Sequence, residues 1–431
     1  METAVVILFI SFLILLALNV PISIGIGLST LLTMLVTIDP GPAVTTVAQR
    51  MAGGLDSFAL LAIPFFILSG QLMGRGGIAR RLIDFAKVLV GALPGGLAFV
   101  DIVACMCFGA ISGSAVAATS AIGGFMIPMM NRDGYDREFN TAVTVTSATT
   151  GLLIPPSNIL IVYSLASGGV SIAALFIAGY LPGILVGLLL MGVAGITATA
   201  RKYPVGARAG LREGLRKTLS ALPSLFLIVL VIGGIIAGIF TATEAGAVAV
   251  LYSLLLSMVF YREVKLRDLR GILLKSVETT AIVMLLIATS TGMSWILSYA
   301  NIPQNLSAAL ISLTDSPVVI LMIINFVLLA VGTFMDMTPA VLIFTPIFLP
   351  VAVTLGMTPL HFGIMMVLNL CIGLCTPPVG SVLFVGCAIG KTTISRMIRV
   401  LLPFYAAMLV SLLLVTYIPE ISEWLPRALG F

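Results

Sequence analysis

Charge is what this sequence lacks most: Asp, Glu, Lys and Arg make up 9% of its 431 residues, against 60% hydrophobic. So little polar surface cannot cover a soluble globule of this size, and the chain reads as a polytopic membrane protein. Histidine is almost missing. His361 sits alone in GMTPLHFG, read as a loop, and one imidazole makes neither a proton relay nor a metal centre. The cysteines, Cys105, Cys107, Cys371, Cys375 and Cys387, lie in apolar stretches without the spacing of a zinc site or a disulfide framework, which assigns them to packing. No G-x-S-x-G, H-E-x-x-H or phosphate-loop motif occurs, so an enzyme is not expected. The formal charge of +5 does not imply nucleic acid, because the basic residues flank apolar spans, where they set topology.

What is present is apolar length. Crossing the hydrocarbon takes about 20 apolar residues, and spans are predicted near 2–19, 21–38, 57–74, 140–166, 173–199, 223–240, 243–261, 279–297, 362–388 and 400–418. The opening METAVVILFISFLILLAL carries Glu2 where a signal peptide has basic residues, and reads as a retained first span. Twenty of the 22 Lys and Arg fall in 75–87, 131–138, 201–217, 262–275 and 391–399, which are therefore expected on the cytoplasmic side. Two longer blocks, 92–130 and 309–352, each have room for two helical arms. Because 75–87 and 131–138 share a side, the first block enters and leaves on that side, as a re-entrant hairpin or a simple pair of crossings does. Its middle, FGAISGSAVAA, has the small and hydroxylated residues of a tip buried in protein.

Pro155-Pro156 recurs as Pro377-Pro378, an offset of 222 residues that also pairs Gly70 with Gly292, Ser69 with Thr291, Pro128 with Pro350, Gly151 with Gly373 and Ala166 with Ala388. Corresponding loops differ in charge: 75–87 maps to 297–309 and 131–138 to 353–360, neither with a Lys or Arg. The expected fold is all-α, with two inverted repeats, 1–210 and 211–431. Each has about five crossings and one hairpin (92–130 or 309–352), and both termini face outward. Inverted repeats with broken helices are typical of secondary transporters.

Within the broken helices, 140–166 and 362–388, a double proline removes N–H donors and unwinds the chain. The freed carbonyls are tolerated at membrane depth only where they line a cavity or bind something. Hard cations such as sodium favour clustered oxygen ligands. Candidate sodium ligands are Ser112, Ser114, Gly151 and Ile154 in the first repeat, and Gly332, Thr333, Gly373 and Thr376 in the second. An anionic solute meets the helix N-termini at the same tips, with Ser114, Ser157, Asn158, Asp336 and Ser381 as polar contacts. Asp336 is the acid of greatest interest, since an intramembrane carboxylate is functional by default. Asp101, in the first hairpin's entering arm, has no visible partner. Glu244 is read as structural, stabilising a helix start capped by Thr241 or Thr243.

Several stretches resemble the large membrane subunit of tripartite ATP-independent periplasmic (TRAP) transporters, the DctM- or SiaM-like family. They are SFALLAIPFFILSGQLMGRGGIARRLIDFAKVLVGALPGGLA (57–98), ISGSAVAATSAIG, LLIPPSN, FTATEAGAVA and GLCTPPVGSVLF, in order along the whole chain. Ala118 departs from the family, where many members have Asp. The resemblance implies an ion-transporter-type elevator fold in a bacterial inner membrane, coupling to sodium as the only cofactor, a separate four-helix membrane subunit and a periplasmic binding protein. It implies an organic acid as substrate: a C4-dicarboxylate, keto acid, sugar acid or sialic acid. A binding-protein-independent channel, or a proton-coupled symporter of similar fold, is the alternative.

Overall fold

The computed structural model describes residues 2–206, 210–314 and 316–431, and the described residues form helices joined by turns, without a strand. The first half contains α1 (Glu2–Ala17), α2 (Ile22–Thr37), α3 (Pro40–Leu55), α4 (Ala62–Arg75), α5 (Ile78–Val90), α6 (Gly96–Ser112), α7 (Ala115–Arg132), α8 (Arg137–Thr150), α9 (Asn158–Ala166) and α10 (Ile172–Ala200). The second contains α11 (Leu211–Ile236), α12 (Ala242–Leu254), α13 (Leu266–Tyr299), α14 (Ile302–Leu313), α15 (Pro317–Phe334), α16 (Met337–Thr354), α17 (Pro359–Leu374), α18 (Ser381–Gly390), α19 (Ile394–Tyr417) and α20 (Glu420–Ala428).

The offset read from the prolines recurs in the elements: shifted by 222 residues, α7 coincides with α16 residue for residue, and α6 falls on α15. Packing follows the same pattern. Helix α7 packs on α18 and α16 on α9, while α8 packs on α19 and α17 on α10. Where α8 meets α17, the Cys371 thiol lies 3.3 Å from the Thr149 carbonyl, and these two positions are themselves 222 apart. A residue touching its own counterpart marks a pseudo-two-fold axis. Large apolar side chains on the outer helices, such as Val229 and Phe326, are exposed as lipid-facing residues must be.

The double-arm blocks are hairpins, with shifted bounds. The first is α6 and α7, from 96 to 132. The second is α15 and α16, from 317 to 354, because 309–313 belongs to α14. Several expected loops are helical at least in part, including 201–217 from Leu211 and 391–399 from Ile394. Residues 78–90 form α5, whose Ile78, Ala79, Leu82, Ile83 and Ala86 make a buried stripe opposite Arg80 and Asp84, an amphipathic helix packed on α6 and α11. Residues 266–275 open the 34-residue α13, which keeps its charged side chains outward. His361 lies in the first turn of α17, its Nε2 2.6 Å from the Val415 carbonyl. Thr241 is the cap beside Glu244, in a full capping box.

A polar clasp ties the turn after the first hairpin to the end of α10. The Tyr203 hydroxyl donates to Asp136 at 2.6 Å and the Arg201 guanidinium donates to the same oxygen. Tyr203 also packs on Tyr135 and Phe139, with ring centroids 4.4 and 5.3 Å away. The Tyr203 hydrogen bond, and then Arg201, hold the Asp136 carboxyl below its ordinary range. A carboxyl depressed by folding stabilises above its unfolded pKa and loses that contribution as pH falls through the folded value. Pepsin cleavage of the 131–138 turn in the purified chain is expected to accelerate below about pH 4. A cleavage rate that tracks only the protease's own pH profile would contradict this.

Candidate functional site

In the first repeat α8 ends at Thr150, the cis Pro155-Pro156 pair follows, and α9 begins at Asn158. In the second, α17 ends at Leu374, the cis Pro377-Pro378 pair follows, and α18 begins at Ser381. Each break sits against the inner arm of its own hairpin, backbone to backbone. A Cβ added to Gly109 would lie 2.6 Å from the Gly151 Cα, and one added to Gly373 would lie 2.6 Å from the Gly332 Cα. Helices approach this closely only where side chains are missing.

The hairpin tips turn differently. The first uses Gly113 at φ 61°, a left-handed conformation suited to glycine, and Ser114 caps α7 by accepting from the Ala117 N–H at 3.2 Å. The second turns through extended Met335 and Asp336, and Asp336 precedes α16 without a side-chain capping bond.

Both tips and both breaks converge on one cavity of about 430 Å³. Ser112 and Ser114 reach it from the first tip, Asp336 from the second, and Asn158 and Ser381 from the helices that restart after the prolines. Gln71 of α4 and Lys275 and Thr279 of α13 line the opposite wall. The Asn158 side-chain amide oxygen and the Ser381 hydroxyl are buried with no hydrogen-bond partner among the described residues. Leaving such a group unsatisfied costs about 1–3 kcal/mol, so both atoms favour a hydrogen-bonding partner in the cavity. Lys275 stands at the rim, 3.0 Å from Glu278.

The other candidates lie around the cavity. Ser157 is buried and gives its hydroxyl proton to the Leu152 carbonyl at 2.5 Å, so it braces the break and does not line the chamber. Among the described residues no hydrogen bond reaches the Gly151 or Ile154 carbonyl. Thr333 and Thr376 return their hydroxyl protons to the Ala330 and Ile372 carbonyls, each at 2.7 Å, which leaves only lone pairs to offer. Oxygen donors of these kinds fit a hard cation at each break. Asp101, unpartnered in the sequence reading, is fully buried away from the cavity and accepts from the Thr144 hydroxyl at 2.5 Å.

Lys275, Gln71 and Thr279 were not among the sequence candidates. Hydropathy windows start this helix only at 279 and consign Lys275 to a loop. The one available signal is the i, i+4 spacing of Lys275 and Thr279 on a helix begun earlier.

A family model described as "Tripartite ATP-independent periplasmic transporter, DctM component" matches residues 9–421. YgiK of Salmonella typhimurium is 55% identical over 98% of this chain and 97% of its own. The C4-dicarboxylate TRAP transporter large permease protein DctM of Pseudomonas aeruginosa is 42% identical over 94% of each chain. The isethionate TRAP transporter permease protein DctMQ of Oleidesulfovibrio alaskensis is 39% identical over 96% of this chain and 65% of its own. Similar proteins are also named for sialic acid in Vibrio cholerae and for 2,3-diketo-L-gulonate in Escherichia coli. Among solved structures, the YdaH transporter of Alcanivorax borkumensis shares the fold, with a TM-score of 0.64 at 14% identity over 90% of each chain.

Proposed function

The chain belongs to the DctM family of tripartite ATP-independent periplasmic transporters, and on that premise we propose that it is the sodium-coupled, moving component of an organic-acid uptake system. The observation that carries this reading is the single chamber on which both hairpin tips and both broken helices converge. Carboxylate oxygens of the solute accept from the Ser381 and Ser114 hydroxyls, and the Asn158 amide oxygen accepts from a solute hydroxyl. Two sodium ions are held at the breaks, one by Ser112, Ser114 and the Gly151 and Ile154 carbonyls, the other by Gly332, Thr333, Gly373 and Thr376. Cation charge there offsets the solute's carboxylate in a cavity that, among the described residues, has Lys275 at the rim as its only Lys or Arg. Asp336, facing the chamber from the second tip, links solute occupancy to the neighbouring cation.

The repeats 1–210 and 211–431 lie inverted in the inner membrane, with both termini periplasmic. The hairpins, α8, α9, α17 and α18 move as one body against α4 and α13, carrying the chamber across as an elevator. The chamber reaches Lys275, in one of the five basic segments, which fits an opening to the cytoplasm in this structure. Delivery of solute falls to a periplasmic binding protein, and the four-helix membrane subunit flanks the static helices. The DctMQ relative is half as long again as its match to this chain, which supports a second membrane component fused there and separate here.

Substrate class rests on chemistry. Hydroxyl and amide contacts at Ser114, Asn158 and Ser381 suit an organic acid that carries hydroxyl or keto groups. The test is reconstitution of the three components in liposomes with a panel of C4-dicarboxylates, keto acids, sugar acids and sialic acid. One of them is expected to enter saturably, only with the binding protein and only with external sodium. Uptake that persists when choline replaces sodium, or flux without the binding protein, would reject the proposal in favour of a proton-coupled carrier or a channel.

A further inference from the structure

A second cavity, of about 270 Å³, lies between the same two bodies. Its walls are Gly53 and Gly54 in the last turn of α3, Ser57 just after it, the last turn of α9, Leu342 of α16, and the α13 face bearing Ser290, Thr291 and Ser294. The main chamber borders α13 from Lys275 to Leu286, and the second cavity borders it from Ile287 to Ser294. At about 1.5 Å per residue the stretch from Lys275 to Ser294 rises about 28 Å, close to the thickness of the hydrocarbon. The two cavities therefore sit toward opposite membrane faces, on one seam.

Ser290 is 3% exposed, yet its hydroxyl has no hydrogen-bond partner. Its neighbours Thr289 and Thr291 return theirs to the Leu285 and Ile287 carbonyls at 2.9 and 2.8 Å. A buried hydroxyl that declines this ordinary arrangement and faces a cavity is placed to meet something in it. Charge lies close by. Arg50 precedes Gly53 and Gly54 by one turn, on the same face of α3, and its guanidinium stands 5.7 Å from the ring centroid of Trp295, the residue after Ser294. Arg50 is outside the five basic segments, and the salt bridges among the described residues do not include it. Exposed Asp56, next to Ser57, is the nearby acid in sequence.

We propose that this second cavity is an entry-side site for a small organic anion, with Ser290 and Ser294 donating to its oxygens and Arg50 supplying the opposite charge at the rim. The site rests on the transporter reading above and adds to it the place where solute first leaves the periplasmic water. Its volume suits an acid of a few carbons, or the carboxylate end of a larger one.

The test uses the full chain in intact cells, with Ser290→Cys or Ser294→Cys as reporters. Impermeant anionic and cationic methanethiosulfonates are compared after scaling each to its rate with a free thiol. The parent chain, whose five cysteines are buried or half-buried, sets the background. After scaling, the anionic reagent is expected to react about tenfold faster. Arg50→Gln should remove most of that preference and Asp56→Asn should increase it. Absence of reaction at both reporters from the periplasm, absence of an anion preference, or a preference indifferent to Arg50 would overturn the site. Ser114→Cys, labelled in inverted membranes, separates the two levels. If it is reached there while the Ser290 and Ser294 reporters show no anion preference, the entry site fails and the main chamber stands.

Discussion

Gly109→Val and Gly373→Val are each expected to abolish uptake and to lower the thermal stability of the purified chain, while Gly124→Val does neither. At Gly109 and Gly373 a side chain would be driven into the backbone of the facing segment, with Cβ 2.6 Å from the Cα of Gly151 or Gly332. Backbone cannot rotate aside as a side chain can. Overpacking of this kind costs about 1–3 kcal/mol where the structure yields, and more where it does not. Around Gly124 there is nothing within 4 Å of an added Cβ, so the same substitution in another membrane helix is harmless. Uptake and thermal unfolding of the three variants side by side decide it. Equal behaviour at all three positions would show that the apposition of break and hairpin is not what holds the chamber.

Substitutions facing the chamber should spare folding and remove transport. Asn158→Leu and Ser381→Ala each delete an oxygen that lacks a protein partner and lines the cavity. No internal hydrogen bond is lost, so stability should be unchanged. Losing the Ser381 hydrogen bond to a carboxylate is worth about 1.5–3 kcal/mol, roughly 10- to 150-fold in KM, and losing the Asn158 bond to a solute hydroxyl about 0.5–1.5 kcal/mol, roughly 2- to 10-fold. Asp336→Asn is expected to act differently, raising the sodium concentration for half-maximal uptake, because the carboxylate lies on the second tip near Gly332 and Thr333, the ligands proposed for the second sodium. Initial rates over matrices of solute and sodium concentration separate the two effects. Unaltered KM in Asn158→Leu, or an unaltered sodium dependence in Asp336→Asn, would remove those residues from their roles.

Much of this architecture could be read from the sequence, because in lipid the backbone allows few options. Apolar length marked the crossing helices, and the double prolines located the breaks to within a few residues of Gly151 and Leu374. What escaped reading was amphipathic. Helix α5 carries Arg80, Arg81, Asp84 and Lys87 among its apolar residues, so a hydropathy window passes over it although its 3.6-residue periodicity is strong. Helices α3 and α14 are short and of mixed polarity, and were missed for the same reason.

The site divides along similar lines. Ser112, Ser114, Asn158 and Ser381 were legible because each sits beside a glycine- or proline-marked interruption, and Asp336 because it is a carboxylate in an apolar block. Lys275 was not, because counting basic residues converts a charged stretch into a loop, whereas α13 carries its charges on an exposed face and continues through. Ser157 stands next to Asn158 yet points back to brace Leu152. One residue of register decides between lining a cavity and supporting it, and composition does not encode that choice.

The claim beneath the mechanism is that the two halves of the chain lie in opposite orientations across the bilayer. Arg80 on α5 and Asn305 on α14 are both exposed and occupy corresponding arms of the two repeats. Labelling Arg80→Cys and Asn305→Cys in intact cells with a membrane-impermeant maleimide tests it directly. The account predicts that Asn305→Cys reacts from outside and Arg80→Cys reacts only after the membrane is opened. Reaction of both from the same face would contradict it.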